Sequence, residues 1–408
     1  MKAGDRVRCS PGREGTEGVF IAERDGIAVV KLKSGYNIGV PASDIEFISS
    51  GEEMMMQPPS VTQNPDLPLF SIISTGGTIA SRVDYRTGAV TSQSTAEEII
   101  RAVPRLATLG RYRTRQPFIT LSENIQPSMW MDLARSVYEE ITNGARGIIV
   151  THGTDTMAYS ASALSFMLKN PVPVIFVGSQ RSADRPSSDN VMNTLCSVAA
   201  ADSDLGEVAV CMHATQSDDI CAIHRATRVR KMHTSRRDAF QSIGIPPIAT
   251  VSYPDLQVTP GPDAIRRASD EPSLADRLEE RCSLISFHPG MSPAILEGYR
   301  GCRGVVITGT GLGHTSTELI GGIRELIEDG TTVIMTTQCL QGRVCDRVYD
   351  TGRDLMAAGV IGGEDMLPEI ALVKLMWVLG QTDDQEEIKR MMQANLKGEI
   401  NRRSVHGL

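Results

Sequence analysis

Short apolar runs alternate with amphipathic stretches along most of the chain. Leu69–Ser74, Gly147–Thr151, Val174–Gly178 and Glu207–His213 are rich in Val, Ile and small residues and are bounded by Gly, Ser and Thr. Runs this short and this apolar read as strands covered on both faces. Between them Thr95–Val103, Pro127–Thr142, Ala158–Leu168 and Asn190–Ala200 carry helical spacing. The alternation predicts a mostly parallel sheet with helices on both sides over residues 68–260. A second, shorter block over residues 282–380 repeats the pattern, with strands Ser283–Phe287, Gly304–Thr308 and Thr332–Thr336 and helices Ser316–Asp329 and Leu367–Leu379. Residues 261–281 are charged, contain Pro262 and Pro272, and read as the interdomain connection. In the tail, residues 381–408, Asp383–Lys397 has the spacing of an amphipathic helix, with Ile388, Met391, Met392 and Leu396 on one side.

The first 48 residues have a different rhythm. Asp5–Cys9, Gly18–Ala22 and Ile27–Leu32 are brief strand patterns separated by turns such as Arg24-Asp25-Gly26 and Ser34-Gly35-Tyr36. They predict a small SH3-like β-barrel. Its Lys and Arg are balanced by its acids, so protein docking or a structural role is expected of it rather than an electrostatic hold on RNA. Residues 49–67, with Met54-Met55-Met56 and Pro58-Pro59, show neither helical nor strand period and read as a linker.

Composition narrows the class. Of 408 residues, 41% are hydrophobic and 22% charged, which fits a packed globular chain rather than a disordered one. Aromatics make up 4% and the net charge is −8, which argues against a stacking platform for single strands and against wholesale binding to nucleic acid. None of the eight cysteines forms a Cys-x-x-Cys pair, so buried free thiols in a reducing compartment are expected. No run is long enough to span a bilayer and the first residues lack the apolar core of a signal peptide, so the expectation is a cytoplasmic protein.

The candidate chemistry lies in two loops that follow strand patterns. One is Ser74-Thr75-Gly76-Gly77-Thr78-Ile79-Ala80; the other is Thr151-His152-Gly153-Thr154-Asp155-Thr156. In a parallel sheet such loops sit at the carboxyl ends of strands, where ligands bind. A Thr hydroxyl is a nucleophile only when a base takes its proton. Thr78, after two glycines that let a substrate approach, is the better candidate of the first loop, while Thr75 is expected to hydrogen-bond its own turn. The bland alternative is a helix cap without catalysis. Thr154 and Asp155 gain meaning beside a Lys able to relay a proton, and Lys231 lies in the basic stretch Arg225–Arg237. Taken by itself, that stretch is more often a solvated or RNA-facing arm than a catalytic one, and nothing local singles out Lys231 among its cations. His152 is expected to order its loop. Asp184 and Ser187–Asn190 are expected to shape a loop and cap the next helix. Gly309-Thr310-Gly311-Leu312-Gly313-His314 imitates a dinucleotide turn, but His314 stands where the third Gly belongs. No phosphate-binding Gly-x-x-x-x-Gly-Lys-Ser/Thr loop and no metal-ligand spacing is present.

Thr75–Ala80 and His152–Thr156 resemble the two signature motifs of the bacterial-type L-asparaginase/glutaminase family, and Val177–Arg181 and Gly363–Glu369 resemble two further segments of it. The resemblance covers about residues 68–380 and implies a two-domain, asparaginase-like α/β core. It implies that Thr78 attacks the side-chain amide carbon and that Thr154, Asp155 and Lys231 form a second set, with Asp155 also gripping the substrate amino group. It places Ser122 at a substrate-binding position and Tyr85, more loosely, on a mobile loop. The small barrel, the Met-Pro linker and the segment around Lys231 depart from a free-standing asparaginase. Together they resemble the D-subunit family of archaeal-type glutamyl-tRNA(Gln) amidotransferases. That likeness implies release of ammonia from glutamine or asparagine by this chain, without a cofactor of its own. It also implies a partner, the amidotransferase E subunit, that binds Glu-tRNA(Gln), uses ATP and Mg, and receives the ammonia, with a homodimeric core and no membrane contact. The rival readings are a free-standing L-asparaginase with an accessory barrel and a non-enzymatic RNA-binding module built on Arg225–Arg237.

Overall fold

The computed structural model describes residues 1–2, 4–9, 16–24, 26–32, 37–50, 63–76, 81–83, 90–92, 96–182 and 187–403. Thr78, Tyr85, Asp184 and the Met54–Met56 run lie outside the described residues.

The main sheet has eight strands, in the order Val258–Pro260, Ala249–Ser252, Ile220–Arg225, Val208–His213, Val174–Val177, Gly147–Thr151, Leu69–Ser74, Arg111–Arg115. From Arg111–Arg115 to Val208–His213 the neighbours are parallel; the remaining three strands are added antiparallel. Side chains alternate between two cores. Ile148, Val150, Val174, Phe176, Val208 and Val210 pack on the face covered by Pro127–Thr142 and Met157–Met167. Ile149, Ile175, Val177, Ala209 and Cys211 pack on the other face, with Ala96–Ala102 and Asn190–Asp202. Period-two alternation with both sides apolar is the physical content of the near-continuous hydrophobic runs. The antiparallel extension was not legible in the sequence. Nor was the edge strand Arg111–Arg115, whose one buried side chain is Tyr112 while Arg113 and Arg115 pair with Glu140.

In chain order the five parallel strands are arranged 2-1-3-4-5. The order of strand addition reverses between the parallel neighbours Leu69–Ser74 and Gly147–Thr151, so the two Thr-bearing loops leave adjacent strands and flank the crevice that such a reversal opens.

The second sheet, Cys282–Ser286, Gly304–Gly309, Thr332–Thr337 and Ile361–Gly362, is parallel throughout. The helix Pro368–Gln381 lies between the two sheets. Ile370, Val373 and Met376 enter the first core, and Ala371, Leu375 and Val378 a core of the second sheet. This two-sided burial explains why its sequence is apolar nearly all round. Its Lys374 is fully buried and is compensated by Glu399 at 2.6 Å and by the carbonyls of Met392 and Ala394.

The N-terminal module is a five-stranded antiparallel sheet, ordered Asn37–Pro41, Ile27–Leu32, Thr16–Arg24, Arg6–Cys9, Ile45–Ser49, around Val7, Cys9, Phe20, Ala28 and Val30. The 3₁₀ turn Ala42–Asp44 joins the two outermost strands and curls the sheet toward a barrel.

Candidate active site

The loop Thr151–Thr156 leaves a fully buried strand and enters the helix Met157–Met167. Thr151 is in register with Ser74, so the two loops start side by side. Thr75 donates both its amide and its hydroxyl to the Thr151 carbonyl, each at 3.1 Å, and its own carbonyl accepts from the Thr120 amide. Its hydroxyl therefore ties two strands together instead of bonding its own turn, and is committed. Gly76 continues the loop at φ 112°, with the Thr120 carbonyl 2.4 Å from where a Cβ would stand. No L side chain fits there without a shift.

His152 is buried, and burial pushes its imidazole down to about 4. Its Nδ1 lies 2.6 Å from the Gly153 carbonyl, which only accepts, so Nδ1 bears the hydrogen. Nε2 then accepts from the Ser160 hydroxyl at 2.8 Å, and the Ser160 oxygen accepts from Trp130 Nε1–H at 2.9 Å. This buried chain fixes the peptide that precedes Thr154. Gly153 lets the neighbouring loop close in, since a Cβ would come within 2.7 Å of Ser122 Cβ. Ser122 is itself buried, in the short turn Ser122–Asn124, and its carbonyl accepts from the Thr156 hydroxyl at 2.7 Å.

Lys231 arrives from elsewhere. It ends the strand Val229–Lys231, which pairs with Phe240–Ser242 in a separate two-stranded sheet. Its Nζ donates to Thr154 Oγ1 at 2.9 Å and to Asp155 Oδ1 at 2.7 Å. The Lys231 side chain is 14% exposed and that of Asp155 69%. Thr154 accepts from the ammonium and keeps its own O–H to donate, so the trio can hand a proton across a short path beside the Thr75–Gly76 loop.

Of the six residues singled out from the sequence, the structure brings Thr154, Asp155 and Lys231 into direct contact and packs Ser122 against Gly153. Thr78 and Tyr85 are outside the described residues. On the far side of the crevice, Asp189 accepts from the Ser179 hydroxyl, the Gln180 and Arg181 amides and Asn193 Nδ2. It shapes the loop after Val174–Val177, as expected; its side chain makes no cap bond at the following helix, whose first amide, that of Asn190, donates instead to the Ser188 hydroxyl at 3.2 Å. Asn193 and the His213 it contacts were not singled out; a buried Asn in a helix is the one signal that marks them.

The basic stretch is not a free arm. Within Arg225–Arg237 every Lys and Arg has a carboxylate partner: Arg225 has Glu207, Arg228 has Asp365, Arg230 has Glu369, Lys231 has Asp155, Arg236 has Asp238 and Arg237 has Asp218. Charges so neutralised leave little to attract phosphates. The Gly309–His314 turn closes on itself through paired Thr310 and His314 backbone bonds, so those amides face the turn's own carbonyls. Among the described residues no cluster of His, Cys, Asp or Glu is arranged to hold a metal ion, and no helix is long and apolar enough to cross a membrane.

Fold and site together define an asparaginase-type α/β protein. Residues 70–262 match the family described as Asparaginase, N-terminal; residues 281–392 match the Glutaminase/Asparaginase C-terminal domain; and residues 1–49 match the GatD N-terminal domain. The thermostable L-asparaginase from Thermococcus kodakarensis superposes with a TM-score of 0.74 at 34% identity, covering 82% of this chain and 99% of that one. The glutamyl-tRNA(Gln) amidotransferase D subunit of Methanosarcina mazei is 50% identical, and that of Halobacterium salinarum 52%, each over 98% of both chains. The chain belongs to the family of glutamyl-tRNA(Gln) amidotransferase D subunits.

Proposed function

We propose that the chain is the amide-hydrolysing component of a glutamyl-tRNA(Gln) amidotransferase, and that it releases ammonia from glutamine, or asparagine, for use by a partner. The observation that carries this reading is the convergence of Lys231 on Thr154 and Asp155 beside the Thr75–Gly76 loop, at the point where the strand order reverses. In this reading the Thr78 hydroxyl adds to the side-chain amide carbon and its proton passes to the leaving nitrogen. The C–N bond breaks, ammonia departs, and an ester to Thr78 remains. Water then cleaves the ester and restores the hydroxyl. Thr154 and Lys231 move the proton; Asp155 orients Lys231 and receives the substrate ammonium; Ser122 holds the substrate, and Tyr85 covers it. Residues 1–48 form the accessory module, 49–67 the linker, 68–260 the site-bearing domain, 261–281 the connection, 282–380 the second domain and 381–408 the tail.

The partner, an E subunit, would bind Glu-tRNA(Gln), use ATP and Mg to activate the glutamyl group, and accept the ammonia in the cytoplasm, with this chain forming a homodimeric core. The test is Thr78→Ala in the reconstituted complex. Gln-tRNA formation from glutamine is expected to vanish while formation from free ammonia persists; loss of both overturns the reading. A free-standing asparaginase, the rival suggested by the superposed T. kodakarensis enzyme, would hydrolyse asparagine at full rate with neither partner nor tRNA.

A further inference from the structure

Lys231 does not belong to the eight-stranded sheet that carries Thr154 and Asp155. Its two-stranded hairpin packs on the first core through Val229, Phe240 and Ile243 and is tied to the sheet by His224 and Ser242 at 2.8 Å, and a further set of holding groups comes from the C-terminal half. Arg228, the last residue of the turn Ala226–Arg228 and the one just before the strand, is 1% exposed. Its Nε donates to the Gly398 carbonyl at 3.0 Å, Nη1 to the Asp365 carbonyl at 3.1 Å and Nη2 to Asp365 Oδ2 at 3.0 Å. The other carboxylate oxygen of Asp365 accepts from the Asn401 amide at 2.9 Å. Thr227 donates its hydroxyl to the Lys397 carbonyl at 2.9 Å. Asn401 Nδ2 reaches the Gly244 carbonyl at 3.1 Å, next to Ile243, whose amide bonds the Arg228 carbonyl. Two residues along the strand, Arg230 meets buried Glu369 at 3.5 Å. The turn Leu396–Asn401 is folded by Glu399, which accepts from the Leu396 and Lys397 amides and pairs with Lys374.

We propose that Arg228 is a positioning residue. Clamped by Asp365 and the C-terminal turn Lys397–Asn401, it sets the Val229–Lys231 strand at the height that lets the Lys231 ammonium reach Thr154 and Asp155 together. A guanidinium suits this role because its rigid fork fixes direction as well as distance, and in a buried site each of its bonds resists displacement. Chemistry sited in the N-terminal α/β domain thereby depends on residues more than a hundred positions downstream. Its consequence for catalysis rests on the function proposed above; its geometric content does not.

The experiment separates the two. The full chain is trace-acetylated with acetic anhydride, and the labelling rate of Lys231 relative to exposed Lys389 is read by peptide mass spectrometry. Asp365→Asn and Arg228→Lys, the latter keeping the charge but losing the fork, are compared with wild type and with Leu355→Ala, a destabilised control in a separate C-terminal core. Lys231 is expected to label about fivefold faster in both clamp variants, the equivalent of freeing one ordinary hydrogen bond. The Lys389 rate and the Leu355→Ala profile should stay as in wild type. Wild-type labelling of Lys231 in both clamp variants, or an equal rise in Leu355→Ala, overturns the proposal. Faster labelling with unchanged glutamine hydrolysis leaves the clamp standing and removes Lys231 from the proposed reaction.

Discussion

Thr154 accepts one hydrogen bond and still has one to give, and the proposed proton transfer relies on that spare donor. Replacing Lys231 with Ala, or Thr154 with Ala, is expected to lower glutamine hydrolysis about a hundredfold or more, the usual scale of a lost proton-transfer group, measured as kcat/KM in the complex. Gly153→Ala should act differently, because the added methyl meets Ser122 rather than the reacting centre. KM is expected to rise more than kcat falls. A second residue-scale consequence concerns pH. Burial holds both His152 and His224 down at about 4, below the ordinary 6.5 of an unfolded chain. The unfolded chain therefore takes up these protons first. The stability the neutral rings confer is complete above pH 6.5 and is lost as pH falls toward 4, by up to about 3 kcal/mol for each ring. Urea midpoints between pH 7 and pH 4.5 should fall steeply, and less steeply in His152→Gln.

At the scale of elements, the helix Pro368–Gln381 is the piece that two cores share, and Lys374 is its vulnerable point. Lys374→Met leaves the Glu399 carboxylate buried without a counter-charge, a change that costs about 3–5 kcal/mol. Adding Glu399→Gln should recover part of the loss, read as the shift in denaturant midpoint. The loop after Leu69–Ser74 has a vulnerable point of its own at Gly76, where the constraint is backbone against backbone. Gly76→Ala places a methyl against the Thr120 carbonyl at a positive φ, so lower thermal stability and lower activity should appear together.

For the whole molecule, the C-terminal turn is a fastener between the halves. Truncation after Ala394 removes one partner each from Arg228, Asp365 and Lys374, namely the Gly398 carbonyl, the Asn401 amide and the Glu399 carboxylate. The expected result is a lower Tm and loss of glutamine hydrolysis, although the deleted residues lie outside both loops of the site. The N-terminal module keeps a core of its own, Val7, Cys9, Phe20, Ala28 and Val30. Deleting residues 1–49 should leave the Tm of the asparaginase-like remainder close to that of the full chain, measured by calorimetry.

Much of this was readable along the chain, because strand, loop and helix are written locally. The alternation of Ile148, Ile149 and Val150 between two cores, the glycines of the two loops and the Thr and Asp beside them all follow from neighbours a few positions apart. The antiparallel extension of the sheet and the charged edge strand Arg111–Arg115 were not readable, since pairing partners and burial belong to other parts of the chain. Nothing within Arg225–Arg237 distinguishes one cation from the next. Their separate roles were set by which carboxylate each one meets, and those carboxylates come from positions as distant as Asp155 and Asp365. Local covalent order and side-chain type determined the loops; distance and desolvation, which exist only once the chain has closed on itself, decided which cation of that stretch meets Thr154 and Asp155.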